Sequence, residues 1–292
     1  MTQDGLGGVV AAVPTPVTAA GEPDTERFCR HAAWALGHGC DALNVLGTTG
    51  EANSLSAGQR GAVMRAAAGA LDTRRLMVGT GTPDLPTTAA LTRLAGALGF
   101  AAALVLPPYY YKGVSDDGLF AWFAGLVEAT AETAIPLYLY NFPQMTGIAF
   151  APALAERLAK AFPGRIAGAK DSSGDLAYTA ALARIDGFKV FPSSETALAA
   201  ADRDGYAGCI SATVSVTAPL VARLWADRGN ADLLRRAEAA RAAIAAQPLI
   251  PAVKHLVGRL HGDAAFARVL PPLMPLAAGE ARALDGLEIA AA

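Results

Sequence analysis

Apolar residues in this chain fall into two alternating textures. Short unbroken runs occupy positions 9–14, 42–46, 76–79, 101–106, 135–140, 166–169, 190–191 and 207–210. Runs this short, with abrupt boundaries, read as buried strands. Between most of them lie stretches of helical period, at 27–36, 60–71, 87–98, 119–130 and 154–161. The first four follow Asp24, Ser56, Asp84 and Ser115, side chains suited to capping a helix N-terminus, and Pro152 stands near the start of the fifth. Strand and helix thus alternate about eight times in residues 1–225, which predicts parallel strands joined by helical crossovers. Eight units in this length fit an α/β fold closed into a (β/α)8 TIM barrel better than an open doubly wound sheet.

The pattern then changes. Residues 232–246 and 252–260 read as helices separated by Gln247-Pro248-Leu249-Ile250-Pro251, and Pro271-Pro272 precedes a last helical stretch. Neither a Gly/Ser-rich linker nor a block of charge sets this region apart. Residues 226–292 are therefore expected to form a C-terminal helical extension of the same domain.

Composition narrows the function. Of 292 residues 53% are hydrophobic and 17% charged, enough for a large core, and the net charge of −2 gives no support for a nucleic-acid partner. Three scattered cysteines and four histidines without ligand spacing argue against a disulfide framework or a metal site. The first eight residues carry no basic stretch ahead of an apolar one, so no secretory leader is read. No apolar run approaches the roughly 18 residues of a membrane span. A soluble, cytoplasmic protein without a membrane partner is expected.

In a barrel, chemistry gathers where strands end at the C-terminal face. Those positions hold Gly47-Thr48-Thr49-Gly50-Glu51, Tyr109-Tyr110-Tyr111, Tyr140-Asn141-Phe142-Pro143, Lys170-Asp171, Ser193-Ser194-Glu195 and Ile210-Ser211. Lys170 is the one of five lysines that closes an apolar strand. Such a lysine is either a solvated residue at a strand end or an amine able to attack a carbonyl and form a Schiff base. The hydroxyls and amides of 47–50 form an ordinary turn or bind a carboxylate as backbone nests do. Tyr138 and Tyr140 alternate along their strand, one expected to face the barrel and the other the helices. A phenol there is a core residue or, beside a Schiff-base lysine, a proton relay. The Tyr109–Tyr111 cluster reads as packing or as a subunit contact, and Glu51 as a helix-start acid.

Taken together and in this order, GTTGE at 47–51, PPYYY at 107–111, YNFPQMTG at 140–147, GAKDSSGD at 168–175 and GCISAT at 208–213 resemble one family. It is the dihydrodipicolinate synthase / N-acetylneuraminate lyase family of pyruvate-dependent class I aldolases, and the resemblance runs from Gly8 to about Pro275. It implies that Lys170 is the Schiff-base lysine and Tyr140 the proton-transfer phenol. It also implies that Thr48 and Thr49 bind the pyruvate carboxylate, with Thr49 linked to Tyr140, and that Ile210 offers a backbone contact to the pyruvyl group. Tyr110 resembles a tyrosine supplied across a dimer interface, with Tyr111 the alternative, so a homo-oligomer, dimer or homotetramer, is implied. No cofactor is required.

Within the family, the tyrosine triplet and the YNFPQMTG pattern look most like 2-keto-3-deoxygluconate aldolases. Synthases that take aspartate semialdehyde carry an arginine where this chain has Met145. The expected reaction therefore joins pyruvate to a hydroxyaldehyde, or cleaves the resulting 2-keto-3-deoxy sugar acid, with Ser194 and Glu195 hydrogen-bonding substrate hydroxyls. Alternatives are 4-hydroxy-2-oxoglutarate aldolase (with Lys112 as a substitute cation), 4-hydroxy-tetrahydrodipicolinate synthase, an imine-forming dehydratase or deaminase, and a non-enzymatic keto-acid sensor.

Overall fold

The computed structural model describes residues 6–287 and Ile289. The leader reading of residues 1–8 and the last residues of the helical extension thus fall partly outside the described residues. The barrel unfolds in order as β1 (Gly8–Ala12), α1 (Thr25–Gly37), β2 (Ala42–Val45), α2 (Ala57–Ala70), β3 (Leu76–Gly79), α3 (Leu85–Ala97), β4 (Ala102–Val105) and α4 (Asp116–Ala129). It continues with β5 (Leu137–Asn141), α5 (Pro143–Thr146), α6 (Pro152–Ala161), β6 (Ile166–Asp171), α7 (Leu176–Leu182), β7 (Lys189–Pro192), α8 (Ala201–Asp204), β8 (Gly208–Ser211) and α9 (Val214–Ala226). The helices α10 (Ala231–Ala245), α11 (Leu249–His261) and α12 (Ala278–Ala283) follow.

All paired strands are parallel, and β1 pairs with β8. The Ala207 N–H donates to Val190 O at 2.9 Å, drawing β7 toward β8 and nearly closing a TIM barrel. The caps named above act as expected: Asp24, Ser56, Asp84 and Ser115 each accept a backbone N–H from the first turn of α1 to α4. At Ser56 the Gln59 side chain reciprocates, completing a capping box.

Side chains alternate across each strand. Val9, Ala11, Leu43, Val45, Val78 and Leu139 pack outward against the helices. Val10, Ala12, Met77, Leu104, Phe191 and Ile210 fill the barrel. Tyr138 and Tyr140 both belong to this interior set, which corrects the expectation that they point opposite ways. Residues two apart on a strand share a face. Gly168 makes room for the deeper ring: a Cβ there would lie 2.1 Å from Lys189 O and 2.5 Å from the Tyr138 ring.

Pro251 does not break the extension as expected. It lies in the first turn of α11, where a missing N–H costs no intrahelical bond, so the helix starts at Leu249. Helix α11 packs through Val253, Leu256 and Val257 against Val216 of α9 and Phe266. Its buried Lys254 pairs with buried Glu51, which also accepts the Leu270 N–H at 2.7 Å. Burial pulls the Lys254 ammonium below the usual lysine range, and Glu51 opposes that shift. Glu51 does stand at the start of a short 3-10 helix, Ala52–Ser54, but its side chain caps nothing there and anchors the extension instead. Leu46 (φ 54°) and Glu51 (φ 52°) bracket the hydroxyl-rich turn in left-handed backbone. Non-glycine residues hold that conformation only when their surroundings fix them, and the ion pair does so for Glu51.

Candidate active site

Strand β6 delivers Lys170 to the C-terminal mouth with only 4% of its surface exposed. Its Nζ donates to Tyr140 Oη at 3.1 Å and lies 4.4 Å from the Tyr140 ring centroid. Tyr140 Oη shares a further hydrogen bond with Thr48 Oγ1 at 3.2 Å. Amine, phenol and hydroxyl thus form one chain from β6 through β5 to the turn after β2. The link to Tyr140 runs through Thr48, where Thr49 was expected: the turn between two left-handed residues aims the first hydroxyl at the phenol. Tyr138, one layer deeper, has its phenol pushed up to about 12 by burial, as befits a core residue.

Asp171, the neighbour of Lys170, faces away from it and secures the following turn. Its carboxylate accepts from Asn141 Nδ2 (2.7 Å), the Ser173 N–H (3.0 Å), Ser173 Oγ (2.9 Å) and Thr179 Oγ1 (2.6 Å). The strand end carrying the amine is thereby held by four hydrogen bonds from three residues.

A cavity of about 420 Å³ opens above the chain of groups. Lys170, Tyr140, Thr48, Thr49, Ile210 and Met145 all line it, so six of the expected residues meet in one place. Met145 stands at its rim with 66% of its surface exposed. The outer wall comes from Pro248 and the first turn of α11, 249–251, and from Leu273.

The remaining expected residues lie elsewhere. Tyr110 is 74% exposed on the loop after β4, edge-on to Tyr111 at 5.3 Å, and lines none of this cavity. Ser194 borders a separate space of about 230 Å³ between the β6 and β7 loops. Glu195 is buried and held by three donors: it accepts from Ser211 Oγ (2.6 Å), Thr213 Oγ1 and Arg241 Nη1 (2.9 Å). Both depart from the expectation that they meet substrate hydroxyls. The 3-10 turn that starts at Glu195 swings its carboxylate under β8. Lys112 also lies outside the cavity, since its ammonium is tied to Thr146 O (2.6 Å) and Tyr109 O.

Three polar lining residues had been given no role: Ser172, Ser193 and Arg241. Ser193 was named only as part of its strand-end stretch. Arg241 reaches in from α10, 71 residues beyond Lys170 (241 − 170), and no local pattern in its alanine-rich helix marks it. Among the described residues no group of three or more His, Cys, Asp or Glu side chains could hold a metal ion. Nor is any described helix long and apolar enough to cross a membrane.

Comparison with known proteins places this arrangement. The model of the dihydrodipicolinate synthetase family matches residues 5–284. An uncharacterized DapA-like lyase of Chloroflexus aurantiacus is 31% identical, over 95% of this chain and 94% of its own. The crystal structure of dihydrodipicolinate synthase from Agrobacterium tumefaciens superposes with a TM-score of 0.88 at 30% identity, covering 96% of this chain and 99% of that one. KD(P)GA from T. tenax gives 0.81 at 28% identity, over 95% and 96%.

Proposed function

Because this chain belongs to the dihydrodipicolinate synthetase family, whose members are lyases, we propose that it is a Schiff-base aldolase for pyruvate and a hydroxyaldehyde. The observation that carries the reading is the hydrogen-bonded chain Lys170–Tyr140–Thr48 at the floor of the cavity. A keto-acid sensor would have no use for a nucleophile set against a proton relay.

The Lys170 amine attacks the keto carbon of pyruvate, and the resulting carbinolamine loses water as Tyr140 donates a proton to the departing hydroxyl. The iminium draws electrons from the adjacent methyl, which gives up a proton to form an enamine. The enamine carbon then bonds to the aldehyde carbon, and the new alkoxide takes a proton. Water finally releases the 2-keto acid and restores the amine. Cleavage runs the same steps in reverse. The iminium is the electron sink, so no organic cofactor or metal enters. Thr48 and Thr49 hold the pyruvate carboxylate through hydroxyls and backbone amides, with the Ile210 backbone beside the pyruvyl group.

The favoured acceptor is a neutral hydroxyaldehyde such as glyceraldehyde, giving a 2-keto-3-deoxy sugar acid. Met145 supports this: a thioether offers only a weak acceptor and no charge to a second carboxylate, whereas an arginine fork would bind one bidentately. The exposed Tyr110 is suited to complete a neighbouring copy's site in a homo-oligomer. The test compares kcat/KM for glyceraldehyde, glyoxylate and aspartate semialdehyde, each with saturating pyruvate. Glyceraldehyde should lead. A clear preference for aspartate semialdehyde would make this a synthase instead.

A further inference from the structure

Besides Lys170, the cavity is lined by one basic residue that the barrel strands do not supply. Arg241 lies on α10 and lines the cavity, with 29% of its side chain exposed. Its Nη1 donates to Glu195 Oε2 (2.9 Å), Ser211 Oγ (3.2 Å) and Thr213 Oγ1 (3.4 Å). Among the described residues these are the only hydrogen bonds of the guanidinium. A guanidinium carries five N–H donors in a fixed plane, so the edge formed by Nε and Nη2 has no described protein partner. Glu195, with 1% of its side chain exposed, is the charge that Arg241 answers. Two hydroxyls, Ser211 and Thr213, donate to the same carboxylate and fix it behind the arginine.

We infer that Arg241, with its charge cancelled by Glu195, sets the acceptor specificity by binding the hydroxyl-bearing end of an uncharged aldehyde. This rests on the aldolase reading and adds to it the residue that discriminates. The Met145 rim lacks attraction for a carboxylate, and the Arg241–Glu195 pair adds a reason to refuse one. An approaching carboxylate meets donors but also feels the buried negative charge held immediately behind them, so its lost hydration is poorly replaced. A hydroxyl oxygen accepts from the same edge without that repulsion. Because α10 carries the arginine, the barrel supplies the imine chemistry and the C-terminal extension selects the partner.

The prediction is directional. Glu195→Gln keeps one oxygen to accept from Ser211 Oγ and Arg241 Nη1, turns an amide donor toward Thr213 Oγ1, which can accept it, and removes the charge, leaving Arg241 uncancelled. The ratio of kcat/KM for glyoxylate to that for glyceraldehyde should then rise roughly tenfold, equivalent to about 1.4 kcal/mol, the scale of a partly buried charge contact. Arg241→Met should lower kcat/KM for glyceraldehyde about tenfold, chiefly through the KM for the aldehyde rather than that for pyruvate. Melting temperature and borohydride trapping of pyruvate are measured on every protein to report fold and imine formation. A parent that traps no pyruvate would overturn the aldolase reading and this inference with it. Trapping in the parent, with an unmoved ratio in folded Glu195→Gln and an unmoved aldehyde KM in Arg241→Met, overturns the inference alone. Should Glu195→Gln fail to fold, Arg241→Gln, which stays neutral and keeps two donors, carries the test. It should retain more glyceraldehyde activity than Arg241→Met, and equal loss would count against a hydrogen-bonding role.

Discussion

Replacing Tyr140 with phenylalanine separates what the phenol does for the fold from what it does for the reaction. The ring stays: it stacks on Phe142 at 5.8 Å and sits in the barrel interior. Only the hydroxyl goes, and with it the contacts to Lys170 Nζ (3.1 Å) and Thr48 Oγ1 (3.2 Å). Each such bond has a net worth of about 1 kcal/mol, and both partners border a cavity where water can replace the phenol. The stability cost should therefore stay near 1–2 kcal/mol, small for a fold of this size. The catalytic cost should be larger. A positioned acid–base group contributes roughly 10²–10⁴ in rate, equivalent to about 2.7–5.4 kcal/mol of barrier. Turnover of pyruvate and glyceraldehyde, read in steady state beside a thermal melt, should show a loss of that order with a nearly unchanged melting temperature. Borohydride trapping over time should also slow, because carbinolamine dehydration needs the same proton. Parental turnover in Tyr140→Phe would make Tyr140 a packing residue and refute the relay. A fall in activity matched by collapse of the melt would refute the division of labour.

Two further predictions concern stability. Lys254→Met leaves Glu51 buried without its cation, which costs about 3–5 kcal/mol and should lower Tm by roughly 6–15 °C. Adding Glu51→Leu should restore only part of that, because the Leu270 N–H then loses its acceptor. His31 is buried between Trp34 and His261, and its imidazole is pushed down to about 3, first by burial and then by the charge of His261. Below the ordinary value of 6.5 the unfolded chain binds a proton that the folded one refuses, so stability should fall as pH drops from 6.5 toward 3. The slope from this group should approach about 1.4 kcal/mol per pH unit, and melts of His31→Phe across that range should be flatter than the parent's. An identical slope would assign acid lability to other groups.

The barrel was legible because its signals are local. Asp24, Ser56, Asp84 and Ser115 each cap the helix that follows within three residues, and the apolar runs need no distant partner to be recognised. The strand-end rule brought Lys170, Tyr140 and the Thr48–Thr49 turn to one cavity. Legibility ended where backbone direction decides the outcome. Which threonine reaches Tyr140 depends on Leu46 adopting φ 54°, and whether Glu195 faces substrate depends on a 3-10 turn that tucks it under β8. Arg241 was invisible for a different reason. Its position over the mouth follows from how α10 docks, a tertiary fact that no spacing along the chain encodes.

The central claim, that Lys170 is the nucleophile, is tested most directly by reducing the protein with borohydride in the presence of pyruvate and mapping the adduct by mass spectrometry. One pyruvyl unit per chain on Lys170 is predicted. Lys170→Ala should carry none, and Lys170→Arg should carry none either, because a guanidinium stays protonated and cannot attack. An adduct on Lys112, Lys160, Lys189 or Lys254, or one that persists in Lys170→Ala, would contradict the account.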